Sequence, residues 1–149
     1  MRVRTASWSE AGDRGILERV RREVFIEEQR VSEDEEFEGL DPDSLHLIVE
    51  LEDREGSREP IGVARLRLTG GGTAKAERFA VLSEHRGRGA GRALLRAVED
   101  EARRRGAKTM VLSAQLRAEA FYEAFGYRRQ GPEFTEAGIR HVRMERRLR

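Results

Sequence analysis

The chain predicts a mixed α/β fold in which most strands are antiparallel and one pair is parallel. Three features carry that prediction. First, three strand-like runs follow one another: Leu45–Leu51 and the run after Pro60 alternate apolar and polar residues, and Lys75–Leu82 ends in the apolar stretch Phe79-Ala80-Val81-Leu82. A charged turn and a glycine turn join them, the pattern of an antiparallel meander. Second, Phe79–Ser113 reads strand, glycine-rich turn, helix, strand, and the right-handed crossover rule makes those two strands parallel. Third, the chain closes on Tyr127–Thr135 and Ile139–Leu148, a strand pair around Glu136-Ala137-Gly138. The 149 residues show no repeat and no linker, so 1–149 is one domain on the usual scale of about 100–200 residues.

Taken in order, Val3–Ser7 is a short first strand and Trp8 an anchor behind it. Ser9 precedes a helical pattern in which Ile16, Leu17, Val20 and Val24 recur at helix spacing, continuing into Phe25-Ile26-Glu27-Glu28-Gln29. Ser32–Glu38, extended by Asp41 and Asp43, is the sharpest local charge feature. It reads as a solvated loop or as an acidic lip that draws in a cationic amine. Leu45, Leu47, Val49 and Leu51 share one strand face, with His46, Ile48 and Glu50 on the other. Pro60 opens the next strand, where Ala64, Leu66 and Leu68 oppose Val63, Arg65 and Arg67, and Gly70-Gly71-Gly72 turns the chain into Lys75–Leu82. A helix from about Ala90 to Arg105 carries Leu94, Leu95, Val98 and Ala102 on one stripe, ending at Gly106 with three arginines in its last turn. Lys108–Ser113 is a buried strand, and Leu116–Phe125 a short helix ended by Gly126.

Composition excludes several classes. Without cysteine there are no disulfides, thiolate metal sites or cysteine nucleophiles. Charged residues make up 38% of the chain yet sum to +1, which gives no global attraction to nucleic acid or to an anionic membrane. All but two of the 29 basic residues are arginine, so a single arginine says little about function. No run of apolar residues is long enough to span a bilayer and the N-terminus lacks a signal-peptide core, so a cytoplasmic protein is expected.

The chemistry concentrates in Phe79–Leu95, F-A-V-L-S-E-H-R-G-R-G-A-G-R-A-L-L. A strand delivers the chain into Arg86-Gly87-Arg88-Gly89-Ala90-Gly91, and a helix begins at once. Glycines allow close backbone approach, and the first helical N–H groups lack partners at the positive end of the helix dipole. Together these parts hold a phosphorylated ligand. The dinucleotide fingerprint fails because Arg92 or Leu94 stands where its last glycine belongs. A Walker loop fails because the only lysines, Lys75 and Lys108, follow alanine.

What remains, Arg86-x-x-Gly89-x-Gly91, resembles the Gln/Arg-x-x-Gly-x-Gly/Ala motif of GNAT acyl-CoA N-acyltransferases. A second stretch, Gln115-x-x-Ala118-x-x-Phe121-Tyr122-Glu123-x-x-Gly126-Tyr127, is similar to that family's Asn-x-x-Ala-x-x-hydrophobic-Tyr-Glu-x-x-Gly-Phe. It departs at Gln115 and Tyr127. Phe25–Gln29, Asp41, His46, Ala114-Gln115 and Glu136–His141 narrow the resemblance to ElaA-like (YjcF-like) GNAT proteins, with Arg140 where those usually carry proline.

The resemblance implies six to seven strands flanked by about four helices. It implies an N-acetyltransferase using acetyl-CoA as co-substrate, with no metal, on a primary amine of a small molecule or an exposed amino group. It places the pantetheine arm along Ala80-Val81-Leu82 and the pyrophosphate on Arg86, Gly87, Arg88, Gly89, Ala90 and Gly91, with Gln115 beside the cofactor. Tyr122 would be the general acid. The base stays open between His141 and His46, with Glu28, Glu77 and Glu136 as alternatives acting through water; Glu28 and Glu136 are also the substrate-binding candidates. No nucleic acid or membrane partner is implied, and a homodimer is left open. The reading from another class is a non-catalytic acyl-CoA-binding or sensor module.

Overall fold

The computed structural model describes residues 1–149. Eight strands form one sheet in the order β1-β2-β3-β4-β5-β8-β6, with β7 also paired to β8. They are β1 (Arg2–Ala6), β2 (Leu45–Glu52), β3 (Arg58–Gly70), β4 (Thr73–Val81), β5 (Thr109–Gln115), β6 (Arg128–Arg129), β7 (Phe134–Glu136) and β8 (Ile139–Arg147). The helices are α1 (Ala11–Arg21), α2 (Glu33–Glu36), α3 (Ala90–Arg104) and α4 (Glu119–Ala124). Only β4 and β5 run parallel. None of the helices is long and apolar enough to cross a membrane.

Period-2 patterning decides what each face buries. Leu47 and Val49 of β2 join the cluster under α3, where Leu94, Leu95, Val98 and Ala102 are wholly buried. Ile48, one residue out of phase, packs instead under α1 with Leu17, Val20, Val24 and Val63. The helix ends follow from capping chemistry. Gly106 ends α3 at φ +85°, and the Ala107 N–H reaches back to the Ala102 carbonyl at 2.9 Å. At the start of α1 it is Glu10, not Ser9, that caps, accepting the N–H groups of Gly12 and Asp13 at 3.0 and 2.8 Å.

Three departures from the sequence expectation have local causes. The strand count is eight, because Tyr127–Thr135 breaks into β6 and β7. Gly131, at φ +86°, and Pro132, which has no N–H, interrupt the ladder between them. Pro60 lies inside β3 rather than at its start, opposite Glu50 where the β2–β3 register shifts, a place where the missing donor is tolerated. The long first helix becomes π-helical over Arg22–Glu28. Such a wide turn often accompanies a functional site, and this one ends on Glu28 at the sheet's central opening.

Candidate active site

The parallel pair parts company half-way along. Thr73–Ala76 of β4 face Thr109–Leu112 of β5, and the pairing stops there. β4 continues along β3 to Val81, while β5 continues along β8 until Gln115 faces His141. A β-bulge drives the split. Val63 faces Ala80 and Arg65 faces Glu77, so Arg78 and Phe79 together oppose the single residue Ala64. Arg78 takes φ +54°, in the left-handed region. The wedge opens into a cleft of about 980 Å³. Along its edge the Leu82 N–H bonds the Ile61 carbonyl of β3 at 2.9 Å, so the Val81 carbonyl points away from β3, into the opening. In an extended strand the N–H of a residue points the way its own carbonyl does, which aims the Val81 N–H into the cleft as well.

One end of the cleft is formed by the glycine-rich turn and the start of α3. Gly87 and Gly89 have φ of +77° and +93°. A Cβ at either would meet no atom within 4 Å, so what they supply is backbone conformation rather than room. Gly89 caps α3 without a side-chain bond, and the first intrahelical bond runs from the Ala93 N–H to the Gly89 carbonyl at 3.0 Å. The N–H groups of Ala90, Gly91 and Arg92 therefore have no partner within the helix. Ala80, Val81, Gly87, Gly89, Ala90 and Gly91 line the cleft; Leu82 turns into the core under α1, and Arg88 lies off the lining, exposed.

Arg86 and Glu28 depart from the roles expected for them. The Arg86 guanidinium does not face the anion end. It forks onto Glu28 at 2.6 and 2.7 Å and donates Nε–H to the Val81 carbonyl at 2.9 Å. Bidentate pairing of opposite charges adds geometric specificity to this contact. The hydrogen bonds from Arg86 hold the Glu28 carboxyl below the usual range, which makes it a poor base.

At the fork of the strands stand Tyr122 and His141. Tyr122 packs edge-on to Phe79, Phe121 and Tyr127, with ring centroids 6.3, 5.1 and 5.8 Å away. Burial raises its phenol, so it keeps its proton at neutral pH. His141 is set by β8 opposite Gln115, its ring stacked on Phe134. Its Nδ1 lies 2.7 Å from the Ile139 carbonyl, which can only accept. Nδ1 is therefore the donor in this contact, and in the neutral ring the lone pair sits on Nε2. Glu136 sits exposed on the cleft wall at the β7–β8 turn. Gln115 also lines the cleft and donates Nε2–H to the Gln29 side chain at 2.8 Å, a tie between the π-helical end and β5 that sequence reading did not assign.

His46 does not belong to this group. It is 1% exposed, stacks on Trp8 and shares a hydrogen bond of 2.9 Å between Nε2 and the Asp41 carbonyl. Burial lowers its pKa, outweighing Asp41, and it has no access to the cleft. As a candidate base it is withdrawn: Trp8 and the Asp41 turn cover it, so it faces neither solvent nor the cleft.

The GNAT acetyltransferase domain family matches residues 10–148. This chain is a GNAT-family protein. YjcF of Bacillus subtilis, an uncharacterised N-acetyltransferase, is 39% identical over 126 residues, covering 84% of this chain and 86% of that one. The crystal structure of a candidate N-acetyltransferase from Lactobacillus plantarum superposes with a TM-score of 0.86 at 31% identity, over 99% of this chain and 97% of that one. Escherichia coli ElaA shares the fold, with a TM-score of 0.81 at 23% identity over 98% and 99% of the two chains.

The acidic segment of this GNAT chain is mostly exposed, with Glu35 and Glu38 on the cleft lining, but two of its carboxylates are not exposed. Glu36 and Asp41 are buried, because two buried arginines claim them. Arg21 donates to Glu36 at 2.7 Å and to Asp41 at 2.6 Å. Arg65 donates to Asp41 at 3.0 Å, to Glu38 at 2.7 Å and to Glu77 at 3.0 Å. Arg78, from the bulge, pairs with Glu36 and Glu38. This network walls the cleft end remote from the glycine turn. Removing one partner would strand a buried charge.

Glu77, an alternative base, is disqualified by the same network. Burial alone would raise its carboxyl, but the hydrogen bond from Arg67 and the charges of Arg65, Arg67 and Lys75 hold it at about 2, against an ordinary 4.5. A depressed carboxyl stabilises the fold above its unfolded pKa and loses that contribution as pH falls toward the folded value. The melting temperature is therefore expected to fall between pH 4.5 and about 2. Glu77→Gln should lower stability at pH 7 and flatten the acid limb in circular-dichroism melts. An unchanged limb would remove Glu77 from the account.

Proposed function

We propose that this GNAT protein transfers an acetyl group from acetyl-CoA to a primary amine by direct attack. One observation carries the reading. A single cleft joins an anion-binding helix start to an N–H, a phenol and an imidazole, all converging where β4 and β5 separate. The N–H groups of Ala90, Gly91 and Arg92 would take the diphosphate, with Arg92 adding charge from the lining. The pantetheine arm would lie along the Ala80-Val81 edge, where β5 has left the pairing and the Val81 carbonyl is taken by Arg86.

The amine nitrogen bonds to the acyl carbon and the carbon–sulfur bond breaks. Val81 N–H carries the negative charge that gathers on the thioester oxygen. His141 Nε2 takes the proton lost by the amine, and the Tyr122 hydroxyl returns one to the departing sulfur. Glu136 lines the acceptor side and suits a cationic amine at the mouth.

A panel of small primary amines, read by release of free CoA thiol, tests this. Acceptor-dependent thiol release is expected. Tight acetyl-CoA binding with no release for any amine would favour the sensor module and contradict the transferase.

A further inference from the structure

We infer that Arg86 and Glu28 are positioning residues: together they clamp the peptide between Val81 and Leu82 and so fix ψ of Val81, one of the two torsions that orient the Val81 N–H on the preceding peptide unit. The Val81 carbonyl and the Leu82 N–H belong to one peptide unit. The Leu82 N–H is held by the Ile61 carbonyl of β3 at 2.9 Å, and the carbonyl, on the opposite side, by Arg86 Nε at 2.9 Å. A peptide gripped from both edges cannot roll about the strand axis. This grip is needed here because β5, which would otherwise hold this edge, has already left the pairing after Leu112.

Glu28 completes the device. Its carboxylate takes both terminal nitrogens of Arg86 at 2.6 and 2.7 Å, from a residue 58 positions away. All three guanidinium nitrogens are engaged, and the carboxylate that takes two of them belongs to the last residue of the π-helical segment. Glu28 therefore links helix, glycine turn and strand edge at one point. Arg86 stands at the first position of the glycine motif yet does not aim its charge at the anion end.

The assignment rests on the transferase reading for its consequence in catalysis, but the clamp itself can be tested without a substrate. Arg86→Lys keeps the charge and can still meet Glu28, but an ammonium lacks the fork that reaches the Val81 carbonyl at the same time. In the free protein, amide hydrogen exchange at Leu82 should quicken by about tenfold in Arg86→Lys, with α3 amides unchanged. In the amine assay, kcat should fall about 10- to 100-fold while acetyl-CoA affinity stays within about threefold. Glu28→Gln should move both readouts in the same direction by a smaller factor. Unchanged Leu82 exchange overturns the clamp. Lost acetyl-CoA affinity with kcat retained makes Arg86 a diphosphate ligand and overturns it too. A wild-type protein that releases no thiol while Leu82 exchange still responds would sink the transferase reading and leave the clamp standing.

Discussion

Gly89→Glu is expected to abolish acetyl-CoA binding. Gly89 lies at φ +93°, where a residue with a Cβ is strained by about 1–3 kcal/mol. The carboxylate would also sit at the helix start where three N–H groups are to receive a diphosphate. At 100 times its dissociation constant, a ligand stabilises the folded state by about 2.7 kcal/mol, or about 5–10 °C in melting temperature for a chain of this size. That shift should be present in the wild type and absent in Gly89→Glu. Gly89→Ala separates the two causes. A Cβ there meets nothing within 4 Å, so this variant suffers the backbone strain alone and should keep part of the shift. A full shift in Gly89→Glu would move the binding site elsewhere.

Loss of either proton-handling group is expected to cost about 10²–10⁴-fold in kcat. Tyr122→Phe is the cleaner variant, because the ring keeps its edge-on contacts with Phe79, Phe121 and Tyr127 and only the hydroxyl leaves. His141→Ala removes the free Nε2 together with the stack on Phe134. Both should bind acetyl-CoA as the wild type does, since neither lies at the glycine turn. A Tyr122→Phe variant with wild-type kcat would assign the aromatic cluster to packing alone.

Features encoded locally were legible in the sequence. The Leu94, Leu95, Val98 and Ala102 stripe, the alternation through β2 and the glycine turn each repeat a period or carry a backbone demand that a short window contains. Features that depend on distant partners were not. Among so many arginines nothing marked Arg21 and Arg65 as the buried ones, so Glu36 and Asp41 read as surface with the rest of the acidic segment. The Glu28–Arg86 pair spans 58 positions and leaves no local trace. The bulge at Arg78 has no glycine to announce it, yet it opens the cleft. His46 and His141 looked equivalent in sequence because each sits on a strand. Only the tertiary arrangement, with Trp8 and Asp41 against one and the parted strands beside the other, distinguishes them.

The central claim is that the opening of α3 grips the diphosphate of CoA. A crystal structure of the protein grown with CoA tests it most directly. The account predicts diphosphate oxygens within hydrogen-bond distance of the Ala90 and Gly91 N–H groups, with the pantetheine beside Val81. A diphosphate bound away from residues 86–91 would contradict it.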